Sequence, residues 1–249
     1  MAVAEAAARV TAPAPFPRDA ASLEARYGNL GTLDVIDLAV HELFPGRVAL
    51  VSSFGAESSV LLHLLSEVDR DVPVVFLDTG RLFAETLEYR TRLIDHLGLT
   101  GVRTVGPDVQ RVKEQDPHRA LWMTNPDMCC HLRKTEPLEQ ALGDFDAWFT
   151  GRKRFQGGAR KALPVFEADG ARVKINPLAR WTPEALKDHA ARHRLPQHPL
   201  VSRGYLSIGC VPCTSKVEPG EDQRAGRWRG KDKVECGIHV NLEADGSGI

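Results

Sequence analysis

Five cysteines stand in this chain of 249 residues. Four fall in two tight pairs, Cys129-Cys130 and Cys210-Val211-Pro212-Cys213. The fifth, Cys236, stands apart in Glu235-Cys236-Gly237-Ile238-His239. A Cys-x-x-Cys turn aims two sulfurs at one point and is a common half-site for zinc or an iron–sulfur cluster. Cys129 and Cys130 can supply the other half. Adjacent ligands suit the edge of a cubane better than a tetrahedral zinc knuckle, so the spacing leans towards [4Fe–4S], although a soft all-thiolate set also accepts zinc. Two plainer readings stay open: buried small hydrophobes at 129 and 130, and a redox pair at 210 and 213. A disulfide framework does not suit a chain this long and this poor in cysteine.

Cys236 is a candidate nucleophile. It lies in a glycine-containing segment with an acid before it and His239 three residues on. Neighbouring cations would raise its thiolate fraction, and His239 could serve as proton donor or pKa partner. A surface thiol without a role is the competing reading.

Chemistry of this kind needs a scaffold. Val48 to Val51 and Val74 to Leu77 are short continuous apolar runs, as strands of a buried parallel sheet show. Val102 to Val105 and Ala147 to Thr150 read as further strands. Helical spacing fills Ala20 to Phe44, the stretch from Val60, and the run to Leu97, where Gly98 is a C-cap. Val165 to Ile175, with Asp169-Gly170 at its centre, reads as a hairpin. Thr182-Pro183 opens a helix, N-cap then proline, that runs to about His193. Arg133 to Leu142 reads as helical after Pro137, while residues 108–128 show no clear period. Strands alternating with helices predict a doubly wound, mostly parallel α/β sheet. The expected division is an arm over residues 1–19, an α/β domain over 20–215, and a mobile cysteine-bearing tail over 216–249.

In such a sheet, ligands bind beyond the carboxyl ends of the strands. Three signals fall there. Ser53-Phe54-Gly55-Ala56-Glu57-Ser58 joins the first strand to its helix and can present backbone N–H groups to an anion. Asp78-Thr79-Gly80-Arg81 follows the second strand: the carboxylate can hold a ribose hydroxyl or an adenine amine, the arginine a phosphate. Arg152-Lys153-Arg154 follows the fourth, with Arg160 close behind. Lys134, Arg224 and Arg227 add cations near the cysteines. Ordinary turns and a solvated basic loop are the alternatives.

Composition narrows the class. The apolar fraction of 43% supports a sizeable core, and the net charge of −1 gives no broad reason to expect nucleic acid. No apolar run reaches membrane-spanning length, and the Ala-rich start lacks the basic-then-apolar pattern of a secretory signal, so a reducing cytoplasm is expected.

Taken together, Ser53-Phe54-Gly55-Ala56-Glu57, Leu77-Asp78-Thr79-Gly80-Arg81, Cys129-Cys130-His131-Leu132-Arg133-Lys134, Cys210-Val211-Pro212-Cys213-Thr214 and Glu235-Cys236-Gly237-Ile238-His239 resemble the assimilatory sulfonucleotide reductases, specifically the iron–sulfur adenylyl-sulfate (APS) reductases. The resemblance spans about Val48 to His239. It implies a fold of the adenine-nucleotide α-hydrolase (PP-loop) type, with a modified phosphate loop at Ser53. It implies a [4Fe–4S] cluster on Cys129, Cys130, Cys210 and Cys213. It implies that Cys236 attacks the sulfur of adenosine 5′-phosphosulfate and expels AMP, and that thioredoxin then releases sulfite. Lys134, Arg160, Arg224 and Arg227 match basic family positions that contact substrate, and Arg152 joins them as an anion-site candidate. Two departures concern substrate and partner contacts: Ser58 stands where an acid is frequent, and Arg229-Gly230 where paired tryptophans are common.

Three rivals follow. A 3′-phosphorylated substrate, PAPS, is the nearest, but family members specific for it typically lack the cluster cysteines. A tRNA-thiolating enzyme of the same fold would want a glycine where Phe54 stands. A cluster-bearing regulator would leave Cys236-Gly237-Ile238-His239 unexplained.

Overall fold

The computed structural model describes residues 19–233 and 235–239. The arm expected over residues 1–19 lies outside them except for Asp19, as do residues 240–249 of the expected tail. Asp19 belongs to the folded part: its carboxylate accepts from the Ser22 amide at 2.8 Å and caps the first helix.

Six strands form one sheet: β1 (Val48–Ser52), β2 (Val74–Leu77), β3 (Val102–Val105), β4 (Ala147–Phe149), β5 (Phe166–Asp169) and β6 (Arg172–Ile175), in the order β3-β2-β1-β4-β6-β5. All pairings are parallel except β5 with β6, which form the hairpin expected around Gly170 (φ 58°). The period of two along each strand divides the sheet into two apolar faces. Val48, Leu50, Val74, Phe76, Ala147 and Phe149 enter the larger core. Ala49, Val75, Leu77 and Trp148 enter the smaller one, where Ile238 of the C-terminal segment also packs.

The helix expected over residues 20–44 is broken. It forms α1 (Ala20–Tyr27), a turn through Gly28 to Gly31, α2 (Thr32–Leu38) and a π-helical turn over Ala39–Leu43, because the glycines resist helix continuation. Next come α3 (Ser58–Val68) and α4 (Ala84–Leu97), the latter closed by Gly98 at φ 65° as expected. Residues 108–128 hold α5 (Val109–Gln115), α6 (Leu121–Thr124) and the start of α7 (Pro126–Cys130). Asn125 caps α7 through the Met128 amide, with Pro126 in its first turn. The segment expected to be helical after Pro137 begins earlier: a π-helical turn over His131–Thr135 joins α7 to α8 (Glu136–Ala141), and Pro137 fits the first turn of α8 because no helical amide is needed there. Finally, α9 (Pro183–Arg192) is capped by Thr182 through the Ala185 amide.

From β1 the chain moves outwards to β2 and β3, then returns to place β4 on the other side of β1. This reversal opens a crevice at the carboxyl ends of β1 and β4, where an open α/β sheet binds its ligand.

Candidate active site

A cavity of about 220 Å3 occupies that crevice. Ser53, Gly55, Ala56 and Glu57 line it from the β1 loop, and Arg152 and Lys153 from the end of β4. Lys134, Arg160, Arg224, Arg227, Cys236 and His239 close it from above, and Thr79 reaches it from the end of β2. The loop positions are held by buried ion pairs. Glu57 binds Lys153 Nζ at 2.7 Å, and the Lys153 side chain is only 4% exposed. Arg152 is fixed by Glu167, by Thr150 Oγ1 at 3.3 Å and by Asn176 Oδ1 at 3.2 Å.

Three members of the expected ligand set do not present their side chains to the cavity. Phe54 takes a left-handed conformation (φ 47°) that turns its ring into the core, edge-on to Phe76 with centroids 5.4 Å apart. Asp78 accepts from the Gly80 amide at 2.9 Å, closing its own turn. Arg81 turns away to Asp116 (3.2 Å) and the Arg119 carbonyl (2.8 Å). Gly80 adds no side chain; its φ of 67° makes the turn.

Cys236 lies at the cavity wall, 9% exposed, with Lys134 Nζ 3.8 Å from its sulfur. Its pKa is held well below the ordinary thiol value, first by a hydrogen bond from the Cys130 thiol, then by the Lys134 ammonium, the Ile238 amide and Arg227, all against the effect of burial. Lys134 is poised by the π-helical turn after α7. Burial works against its charge, but the sulfurs of Cys236, Cys210 and Cys130 raise its pKa overall.

The segment carrying Cys236 is fastened by Glu235. Its carboxylate takes Arg160 Nε and Nη2 at 2.8 Å each and Arg224 Nη2 at 3.3 Å. Against burial, these two arginines hold its pKa below the usual carboxylate range. Glu235 stands in the motif, but nothing in the sequence aims its carboxylate at arginines 75 and 11 residues away. His239 stacks on Trp148 at 6.1 Å and an interplanar angle of 10°, and its inaccessible Nδ1 has no hydrogen-bond partner among the described residues. Burial, then Arg152, Arg160, Lys174 and Arg224, push its pKa well below 6.5. A pKa lowered in this way favours the neutral ring, so of the two expected roles, proton donor or pKa partner, any donation would come from the neutral imidazole.

The four paired cysteines converge. Cys129, Cys130, Cys210 and Cys213 line one small enclosed cavity beside the larger one, and none forms a disulfide. Cys129 and Cys130 end α7. Cys210 is held by a bridge to Leu82, with Thr79 Oγ1 3.2 Å from its sulfur. Burial first, then mutual repulsion, raises the thiol pKa of Cys213. Arg81, Arg133, Lys134 and Arg227 line the same cavity as the four cysteines, and the Nε of Arg81, Arg133 and Arg227 is buried without an acceptor among the described residues. Four thiols ringed by cations with unmet donors fit an anionic, sulfur-rich group held by thiolates. Asp116, 3% exposed, is the charge that sequence reasoning missed: it braces this ring by binding Arg133 at 2.9 Å and Arg81 at 3.2 Å. No regular period marks its surroundings. Gly209, next to Cys210, leaves room for Arg227, whose Nη2 would lie 2.5 Å from a Cβ there.

The expected boundary at residue 215 falls inside a continuous knot. Ser215 N–H donates to the Gly226 carbonyl at 2.8 Å, and Trp228 N–H to the Cys213 carbonyl at 3.1 Å. Lys231 reaches the Trp122 carbonyl and Lys233 reaches Asp127, strapping the segment across α6 and α7. Trp228, 3% exposed, packs under Arg227 at 4.4 Å from its ring centre.

A doubly wound sheet with a cation-lined crevice and a thiol in its wall defines an α/β protein of the adenine-nucleotide α-hydrolase type. The phosphoadenosine phosphosulfate reductase domain matches residues 47–216, and the chain belongs to that family. It is 53% identical to the adenosine 5′-phosphosulfate reductase of Mesorhizobium japonicum over 222 residues, covering 89% of this chain and 87% of that protein. It is 41% identical to the phosphoadenosine 5′-phosphosulfate reductase of Xanthomonas axonopodis over 203 residues, 80% of this chain and 83% of that one. Among solved structures, the phosphoadenylyl-sulfate reductase of Candida auris, in a phosphate complex, superposes with a TM-score of 0.66 at 27% identity, covering 80% of this chain and 96% of that one. No helix among the described residues is long and apolar enough to cross a membrane.

Proposed function

We propose that this chain reduces adenosine 5′-phosphosulfate to sulfite and AMP, with thioredoxin as reductant, in the cytoplasmic assimilation of sulfate towards cysteine. The observation that carries the reading is the placing of Cys236 beside Lys134, in one cavity with the β1 loop and four arginines. The nucleotide phosphate sits against the amides of Ser53 to Ser58 and the N-terminus of α3. The sulfo group lies towards Lys134, Arg160, Arg224 and Arg227. The sulfur of Cys236 attacks that of the sulfo group, and the bond from sulfur to the bridging oxygen breaks. AMP leaves with the electron pair. The fixed cations stabilise charge on the three sulfo oxygens during transfer.

The product on the enzyme is an S-sulfocysteine at Cys236. A thiolate of reduced thioredoxin attacks the Cys236 sulfur, sulfite departs with the electron pair, and a mixed disulfide forms. The second thiol of thioredoxin resolves it, so the dithiol supplies both electrons. The segment around Cys236 opens for this step. We assign a [4Fe–4S] cluster to Cys129, Cys130, Cys210 and Cys213. Bound there, it would organise the site and contribute to its field, without supplying the electrons. The Cys130 thiol proton is absent when that sulfur ligates iron, so Lys134, the Ile238 amide and Arg227 then carry the activation of Cys236.

A second reading, use of PAPS alone or with APS, is favoured by the relatives that bear that name. Anaerobically purified protein given each nucleotide with reduced thioredoxin should release sulfite from APS. Without reductant, mass spectrometry should find a sulfonate adduct on Cys236. An adduct elsewhere, or none with iron-loaded protein, overturns the mechanism; sulfite from PAPS alone overturns the substrate.

A further inference from the structure

Three of the chain's nine histidines, His63, His96 and His193, line one hollow that contains no cysteine, and a fourth, His189, packs against two of them. His63 and Glu67 are one turn apart on α3; His189 and His193 are one turn apart at the end of α9. These helices pack together, so the two i, i+4 pairs face one another. His96 lines the same hollow, with Asp34 and Asp37.

We infer that His63, Glu67 and His193 form a second metal site, for a zinc-type divalent ion, joining α3 to α9. One donor atom from each of the three lies within 4.8 Å of the other two. A tetrahedral zinc ion with bonds of about 2.0–2.2 Å holds its ligands about 3.4 Å apart. The closure required is about 1.4 Å at most. Glu67 can provide it by a rotamer change, since its side chain is 45% exposed. Two imidazoles and a carboxylate are the donors of a borderline divalent ion and leave a position for water.

The second contact supports the same reading. His63 Nδ1 lies 3.2 Å from His189 Nε2, while His63 Nε2 faces Glu67 Oε1 at 3.7 Å. His63 can therefore donate one ring N–H to His189 and offer the other nitrogen to an ion. Ligating histidines are commonly oriented in this way. Packing alone accounts for the rings of His189 and His193 stacking at 4.3 Å beside Trp181. Glu67 adds a carboxylate oxygen within 4.8 Å of a ring nitrogen of both His63 and His193. The site lies along α3 from the phosphate loop at its N-terminus, so the ion clamps the helix that carries the loop. The assignment does not depend on the activity proposed above.

The test uses full-length, iron-loaded protein, treated with EDTA under conditions that leave its iron content unchanged, then titrated with Zn2+. One Zn2+ per chain should bind with nitrogen and oxygen ligands only, by zinc X-ray absorption, and the melting temperature should rise. His193→Ala and Glu67→Gln should each weaken binding at least 10-fold, and His189→Ala by about 10- to 100-fold, with iron content unchanged. Glu67→Gln keeps the shape of a largely exposed side chain, so it tests the site even if a histidine variant folds poorly. Absence of binding, equal affinity in wild type and Glu67→Gln, or sulfur in the zinc shell overturns the assignment.

Discussion

Replacing Glu235 by glutamine removes the charge that fastens the Cys236 segment. The carboxylate accepts two parallel bonds from Arg160 and a third from Arg224, with side chains 19% and 9% exposed for Glu235 and Arg160. Charge-assisted bonds at this degree of burial contribute about 1.5–3 kcal/mol. Glutamine keeps one acceptor oxygen but turns an NH2 towards two guanidinium groups, so the loss is about 2 kcal/mol. At 1.4 kcal/mol per decade, the open population of the segment rises by about 30-fold. Alkylation of Cys236 by iodoacetamide reads this directly, because the sulfur is shielded in the closed segment. Where opening is fast relative to alkylation, the rate follows the open population. The assay is run without nucleotide on iron-loaded protein, and rates are compared at their high-pH plateau to separate opening from thiol ionisation. In the wild type, the Glu235 pKa lies below its ordinary 4.5. Its stabilisation is thus complete above about 4.5 and is lost only as pH falls through the lowered value. Protection of Cys236 should therefore hold from pH 5 to 8. A Glu235→Gln protein with intact iron content and circular dichroism, alkylated within two-fold of the wild-type rate, would refute the fastening role.

Asp116→Asn should leave Arg81 and Arg133 buried without their counter-charge, at a cost of about 3–5 kcal/mol. Calorimetry should show the midpoint falling by about 6–20 °C, and a change below 2 °C would refute the brace. In the wild type, burial raises the Asp116 pKa, but the Leu121 amide, Arg133 and Arg81 together lower it below its ordinary 3.8. This stabilisation is present above 3.8 and is lost as pH falls through the lowered value. His239 is held neutral, so the pH profile of turnover should carry no ionisation near 6.5 that disappears in His239→Asn. Such a limb, present in the wild type and removed by the substitution, would refute the neutral ring.

Much of this protein was legible in one dimension because the central strands of its sheet are buried on both faces. Strands such as Val74 to Leu77 then read as unbroken apolar runs, and the cysteine pairs stand out against a chain otherwise poor in cysteine. The βα loops could be placed from the strands alone, since chain direction decides which strand ends carry the site. Side-chain aim is a different matter. Phe54 sits in the expected loop, yet one positive φ sends its ring into the core. Arg81 follows the expected strand, yet a buried carboxylate 35 residues away draws it towards the cysteines.

The sequence by itself determined the kind of sheet, the ends at which chemistry would gather, and the separation of one cysteine from the other four. Only tertiary structure decided that Glu235 would clasp Arg160 across 75 residues, that His239 would be kept neutral among cations, and that two histidine-bearing helices would meet. Local periodicity records which surfaces are buried. Ion pairs and donor sets depend on distances between segments that only the packed chain brings together.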